Sequence, residues 1–346
     1  MSKTRLDLLD CTLRDGGYLN DWKFGQNAIA DMVKSISDTG VEVLEVGFLK
    51  DEPYDQDRTV FNSMEQVKKI IGPKKKNVKY AVMCEVVNPL PLDKLDPHDD
   101  VSADIIRVIV WKTKHEREGN IVDALKEGFE YCKGIVEKGY KLCVQPARVD
   151  QYSEEEFVSM LKMFSTLNPL AIYVVDSWGT QTPEKLLRYM DLVDNNVQST
   201  IKLGYHGHNN LLQALPTAQM MIKRGFKRDL MIDASVFGVG RGAGNLNLEL
   251  MMKYLNEEYG TKYDTSDIVR IYEKYVKGIY NIEKWGYTIQ YYLTAKYNCN
   301  PAYARRFESI PGNDFEEILK NLNETDRVIF NKKRSDEIYL EYISKK

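Results

Sequence analysis

The stretch LDLLDCTLRDGGYLND, residues 6–21, decides the fold. Its apolar first half reads as a β-strand, LDLLDCT over 6–12. The text after it is not the glycine-rich phosphate loop that an open, doubly wound sheet carries behind its first strand. Working outward, seven further β-type runs follow: VEVLEVGF (41–48), VKYAVMCE (78–85), IIRVIV (105–110), KLCVQPA (141–147), AIYVVDS (171–177), IKLGYHGH (201–208) and LMIDASVFG (230–238). Each is succeeded by an amphipathic stretch with apolar residues at helical spacing. Eight strands at roughly thirty-residue intervals is the rhythm of a (β/α)8 TIM barrel, an α/β fold. The helices carry matching start signals. SEEEFVSMLKMF (153–164) opens on a serine cap with an acidic first turn, and TPEKLLRYMDLV (182–193) has proline at its first helical position. From residue 256 the alternation stops and tyrosine-rich helical text takes over, as in IVRIYEKYVKGIYNIEKW (268–285). The pattern predicts a catalytic barrel over 1–255 and a helical C-terminal region over 256–346, serving as lid, oligomer contact or partner contact.

With 48 Lys and Arg against 51 Asp and Glu, the 346-residue chain carries a net charge of −3, its signs interspersed. Nothing resembles the basic stripe of a nucleic-acid-binding surface. PKKKNVK (73–79) reads as a solvated turn. The opening MSKTRLDLLD lacks the apolar core and cleavage site of a secretory signal, and no run approaches the length of a membrane span. A cytoplasmic location with no membrane partner is expected. Cys11, Cys84, Cys132, Cys143 and Cys299 form no CxxC pair and fall mostly within apolar runs, as buried reduced thiols do.

His206 and His208 stand two residues apart at the end of the seventh run. Residues i and i+2 of a strand point to one face, so both imidazoles project together and offer a divalent metal two neutral nitrogens. Barrel enzymes do their chemistry at the C-terminal strand ends, and strands 1 and 7 are close round an eight-stranded ring. Asp15 can therefore complete a two-histidine, one-carboxylate set with positions left open for water or substrate. Asn245, within the glycine-rich GVGRGAGNLNLE (238–249), offers an amide oxygen as a further contact. Such a set suits Mg²⁺, Mn²⁺, Co²⁺ or Zn²⁺. Glu45 is expected to pair with Arg14, because an inward-facing charge in a barrel needs a partner. Gln145 and Asp176 end strands 5 and 6, where they face a substrate or the groups that order it. Arg241 either holds a carboxylate or phosphate or faces water. His115 either reaches the mouth or lies in a solvated loop, and His98 is a surface residue. Lys50 and Lys112 are the lysines that a Schiff-base aldolase would use.

Taken together, DCTLRDGG, GYHGHNN and GVGRGAGNLNLE, in this order and at these barrel positions, resemble the DRE-TIM metallolyases of the 3-hydroxy-3-methylglutaryl-CoA lyase superfamily. Within that superfamily the chain is most similar to the 4-hydroxy-2-oxovalerate aldolases, whose first motif also ends in Arg-Asp-Gly. The resemblance covers the whole barrel and extends weakly to Gly286-Tyr287. It implies a metal, Mn²⁺ or Mg²⁺ foremost, held by Asp15, His206 and His208 with Asn245 nearby. It also implies a 2-oxo acid such as pyruvate chelated there, an aldehyde as co-substrate, and Arg14 donating to the enolate oxygen that develops as a carbon–carbon bond breaks or forms. A homo-oligomer, and docking of an aldehyde dehydrogenase on the tail, are further implications. An acyl-CoA-dependent Claisen-type enzyme and a subunit whose barrel is mainly a scaffold are the alternatives.

The chain departs from the aldolase pattern at one position. Where those enzymes carry a base histidine two residues after the motif's glycine, this sequence has Tyr18. A phenol titrates near pH 10, so it serves as a base only if its surroundings lower that value. The candidates for the role are Tyr18, Tyr287 and a metal-bound hydroxide.

Overall fold

In the computed structural model, which describes residues 5–115 and 121–346, eight parallel strands close into a barrel. They are β1 (Leu6–Asp10), β2 (Val43–Leu49), β3 (Lys79–Glu85), β4 (Ile105–Val110), β5 (Lys141–Pro146), β6 (Ala171–Asp176), β7 (Lys202–Gly207) and β8 (Leu230–Ala234). Each pairs with the next. β1 closes the ring by pairing with β8 from Leu6↔Leu230 to Asp10↔Ala234 and with β2 at Leu9↔Val43. β1 stops two residues before the expected end because Asp10 bends its own chain: its carboxylate accepts from the Thr12 amide at 3.1 Å and the Thr12 hydroxyl at 2.6 Å. A side chain bonded to backbone two residues on competes with the strand ladder. Thr12–Asp15 then forms a single helical turn that carries Arg14 and Asp15.

The outer ring is α1 (Gln26–Asp38), α2 (Met64–Ile71), α3 (Leu125–Glu137), α4 (Glu154–Ser165), α5 (Pro183–Asn196), α6 (Ala214–Arg224) and α7 (Leu248–Tyr259). The expected alternation fails once. Between β3 and β4 the described chain has only a 3₁₀ turn, Leu92–Lys94. Pro89, Pro91 and Pro97 lie there, and proline both removes an amide donor and pushes its predecessor out of helical geometry. The expected caps are present: Ser153 and Glu156 form a reciprocal capping box on α4, and Thr182 caps α5 ahead of Pro183.

Inside the barrel, Leu9, Val43, Ala81, Ile105, Cys143, Ala171 and Met231 make an apolar floor. Directly above lie Glu45, Arg107, Tyr173 and Asp233, all buried. Gly204 on β7 makes room for that layer, since a Cβ there would stand 2.2 Å from the Tyr173 ring. The other strand faces pack on the helices in one larger core, which also takes in Tyr263, Ile268, Ile271, Val276 and Trp285. These last residues lie on or beside α8 (Ser266–Ile271), a π-helical turn (Tyr272–Val276) and α9 (Lys277–Ile282). A separate core, centred on Leu293, Tyr303, Phe315 and Ile338, holds α10 (Ile289–Lys296), α11 (Ala302–Arg306), α12 (Gly312–Lys320), α13 (Glu324–Val328) and α14 (Lys332–Ile343). Among the described residues no helix is long and apolar enough to cross a membrane, and all five cysteines are free and buried.

Candidate active site

A cavity opens at the C-terminal strand ends, lined by Arg14, Asp15, Tyr18, Met83, Glu85, Ile109, Trp111, Gln145, Ala147, Val175, Ser177, His206, His208 and Arg241. Asp15, His206 and His208 offer ligand atoms that all lie within 4.8 Å of one another, and all three residues are buried. Each histidine is fixed from behind. His206 Nδ1 is 3.0 Å from an Asp233 carboxylate oxygen, and His208 Nδ1 is 2.9 Å from the Arg241 carbonyl. Carboxylates and carbonyls only accept, so Nδ1 carries a hydrogen in both rings, and in the neutral tautomer this fixes, Nε2 keeps its lone pair. Burial lowers His208 to about 3, against the pull of Asp15, so its ring is neutral and ligand-ready at neutral pH.

Burial alone would raise the Asp15 carboxyl, but Arg14, the two histidines and the Asn245 amide hold it well below the usual carboxylate range. Asn245 Nδ2 donates to Asp15 at 2.6 Å and to the Val239 carbonyl at 3.0 Å, while its buried Oδ1 has no partner. An orphaned amide oxygen beside an ionised carboxylate and two free imidazole nitrogens is a donor set that fits a divalent cation. Gly240 permits this approach: a Cβ there would lie 2.1 Å from Asn245 Nδ2 and 2.4 Å from Asp15 Oδ2. His208 and Asn245 are further tied by an isolated β-bridge.

Arg14 ion-pairs with Asp15 and donates through Nε to Glu45 at 2.7 Å, the pairing expected for Glu45. Glu45 also meets Arg107 at 2.9 Å, and Arg107 pairs with Asp233. The chain Arg14–Glu45–Arg107–Asp233–His206 thus links a cavity-lining arginine to a histidine of the candidate metal cluster through buried charges. Arg107 and Asp233 carry this link, and sequence reasoning passed over both. Glu45 does not line the cavity, so it positions Arg14 and makes no contact of its own there. Gln145 does line it, and with its amide oxygen turned inward accepts from Arg107 Nη2 at 2.9 Å.

The remaining expected residues divide between the cavity wall and positions outside it. Asp176 is not a lining residue: its carboxylate accepts from the Thr180 and Gln181 amides at 3.1 and 3.2 Å, holding the loop after β6. Tyr287 is 49% exposed and outside the cavity wall. Tyr18 is at the wall, its ring edge-on to Trp22 and Phe48, but burial followed by the charge of Glu85 pushes its phenol up, opposite to what a base needs. Lys50 and Lys112 are also outside the wall, Lys112 paired with Glu156 at 2.6 Å, which leaves no lysine lining the cavity among the described residues. Arg241 lines the cavity; its backbone amide donates to Asp15 at 3.4 Å, while its guanidinium has no carboxylate partner among the described residues. His98 is half-buried against Tyr140 rather than free at the surface. The His115 side chain lies outside the described residues.

Comparison with known proteins agrees with the barrel fold. The HMGL-like family profile matches residues 5–274. The chain is 24% identical over 267 residues to a 4-hydroxy-2-oxovalerate aldolase of Bacillus cereus, covering 76% of this chain and 73% of that one. It is 23% identical over 258 residues to an oxaloacetate decarboxylase of Mycobacterium tuberculosis, covering 72% and 69%. Among solved structures, the N-terminal domain of a candidate aldolase from Bacteroides vulgatus superposes with a TM-score of 0.73 at 24% identity, over 91% of this chain and all of that one. With a closed barrel, the two-histidine and aspartate cluster at its mouth and a family match over most of its length, the chain belongs to the HMGL-like family of carbon–carbon lyases.

Proposed function

We propose that this protein is a divalent-metal aldolase that forms or cleaves a carbon–carbon bond through a pyruvate-type enolate, joining or releasing a 2-oxo acid and an aldehyde. The observation that carries the proposal is the Asp15–His206–His208 cluster with Arg14 directly against it. A bound Mn²⁺ or Mg²⁺, held by those three side chains with Asn245 as a further contact, supplies Lewis-acid stabilisation of a 2-oxo acid's keto oxygen. Arg14 donates to the oxygen on which enolate charge collects, and Glu45 keeps its guanidinium aimed there. Arg241 and Gln145 face the same space and bind the anionic and polar parts of the substrate. Met83, Ile109 and Trp111 give the aldehyde half an apolar wall. Charge supports an anionic substrate. The buried Asp15, Glu45 and Asp233 carboxylates exceed the Arg14 and Arg107 guanidiniums by one charge, and a dication reverses that sign.

A second reaction on the same enolate, decarboxylation of oxaloacetate, is favoured by Tyr18. Loss of CO₂ leaves the enolate without removing any hydroxyl proton, so it proceeds where a base histidine is missing. The deciding experiment is to add Mn²⁺ to the purified protein and follow solvent deuterium entering the methyl group of pyruvate by NMR. Exchange is the expected result. Metal binding without exchange would sink the enolate proposal.

A further inference from the structure

The cavity has two sides. The metal-facing groups come from β1, β7 and the loop after β8. β3 stands opposite β7 in the ring, and at its C-terminal end is Glu85. Glu85 and Asp15 are the two carboxylates on the cavity wall, and Asp15 is committed to the metal side. One Glu85 oxygen accepts from Trp111 Nε1 at 3.0 Å. Its other oxygen has no hydrogen bond or ion pair with any described residue, and Glu85 is only partly buried. An acid–base side chain oriented through one oxygen and free at the other, across the cavity from the electrophilic side, is the arrangement general catalysis needs.

We propose that Glu85 is the general base and acid of this site, taking the role that Tyr18 leaves vacant. The assignment rests on the enolate function proposed above. In cleavage of a 4-hydroxy-2-oxo acid, the hydroxyl proton passes to the free Glu85 oxygen. The O–H electron pair becomes the second bond of the aldehyde carbonyl, and the electrons of the breaking carbon–carbon bond become the enolate. The same proton is then returned from Glu85 to the enolate's methylene carbon, which gives a 2-oxo acid methyl group. No other reagent is consumed. Tyr18, which keeps its proton under burial, is left as a hydrogen-bond donor beside this transfer.

The test compares Glu85→Gln with the parent protein, both loaded with Mn²⁺, in two reactions that share the enolate but differ in proton demand. Methyl-proton exchange in pyruvate requires a base, whereas breaking the C–C bond of oxaloacetate does not. The expected result is a fall in exchange by about 10²–10⁴-fold, while oxaloacetate consumption falls by less than about tenfold and Mn²⁺ affinity, read by equilibrium binding, does not change. The glutamine keeps the acceptor for Trp111, so the fold is retained, and a matching thermal melt verifies this. Glu85→Asp is expected to recover part of the exchange. Parent-like exchange in Glu85→Gln, or an equal fall in both reactions, overturns the assignment and leaves the enolate function standing. Absence of exchange in the parent removes the enolate function and this assignment with it.

Discussion

The two sides of the barrel mouth are built on different terms. On the metal-facing side the histidines, Asp15 and Arg14 are each held by a second residue: His206 by Asp233, His208 by the Arg241 carbonyl, Asp15 by Arg14 and Asn245, Arg14 by Glu45. On the β3–β4 side the contacts are sparse, with Met83 and Ile109 presenting apolar surface and Glu85 tied through one oxygen only. Over-determination suits chemistry that tolerates no misplacement, since catalytic groups need to be held within a fraction of an ångström. A loosely tied wall suits a surface that selects among co-substrates. Under the proposed function, the holding of the enolate and the choice of aldehyde are therefore separable apart from the proton transfer assigned to Glu85, and substitutions of the other residues on the two sides should fail differently.

Among the residues of the metal-facing side, the largest effect is expected at Arg14. Arg14→Ala removes the cavity-lining arginine that Glu45 holds from behind, and losing an oxyanion donor costs about 10²–10³-fold in turnover. Pyruvate deuterium exchange should fall by that factor while Mn²⁺ still binds. If exchange stays near the parent rate, the charge on the enolate is carried elsewhere. Next comes Asp233→Asn, which acts through His206: outer partners of ligating histidines contribute about 10–100-fold in metal affinity, so a Mn²⁺ titration should show a weakening of that size. An unchanged titration would mean that the buried Arg107–Asp233 pair serves the fold alone. On the opposite side, Ile109→Ala should leave exchange as it is. Because a methylene in an apolar pocket is worth about 10-fold or more in selectivity, the same variant should shift aldehyde preference toward longer chains, measured as kcat/KM across an aldehyde series.

This division also explains what could be read from the sequence. The histidine pair and Asp15 are legible because strand periodicity is a local rule and an eight-stranded ring fixes which strand ends are close, and Glu45 because a lone inward charge demands a partner. The same rule, applied to IIRVIV and LMIDASVFG, points to Arg107 and Asp233, two single charges inside runs buried on both faces. They were passed over because an apolar run with one charge still reads as a strand. The missing helix between β3 and β4 had its signal in three prolines within nine residues, 89–97. Glu85 had none. A polar residue at a strand end is ordinary, and only the placement of β3 across from β7 gives it meaning. Tyr287 illustrates the converse: resemblance put it near the site, and it is half exposed outside the cavity.

Asp176 supplies the mildest test of the division, because it sits at the rim and serves neither side. Burial raises its carboxyl to about 7, against the two loop amides that favour the ionised form. A carboxyl whose folded value exceeds its unfolded value, near 3.9, binds its proton more tightly in the folded protein. Its contribution to stability is therefore fully present below pH 4 and is lost as pH rises through about 7. Asp176→Asn has no such titration. The stability difference between the parent and this variant, measured by denaturant unfolding from pH 4 to 8, should move steadily against the parent up to neutrality and then level off. Pyruvate exchange should stay close to the parent rate throughout. A pH-independent difference would mean that the carboxylate is ionised in its loop over the whole range, and a collapse of exchange would move Asp176 from the loop into the machinery of the metal-facing side.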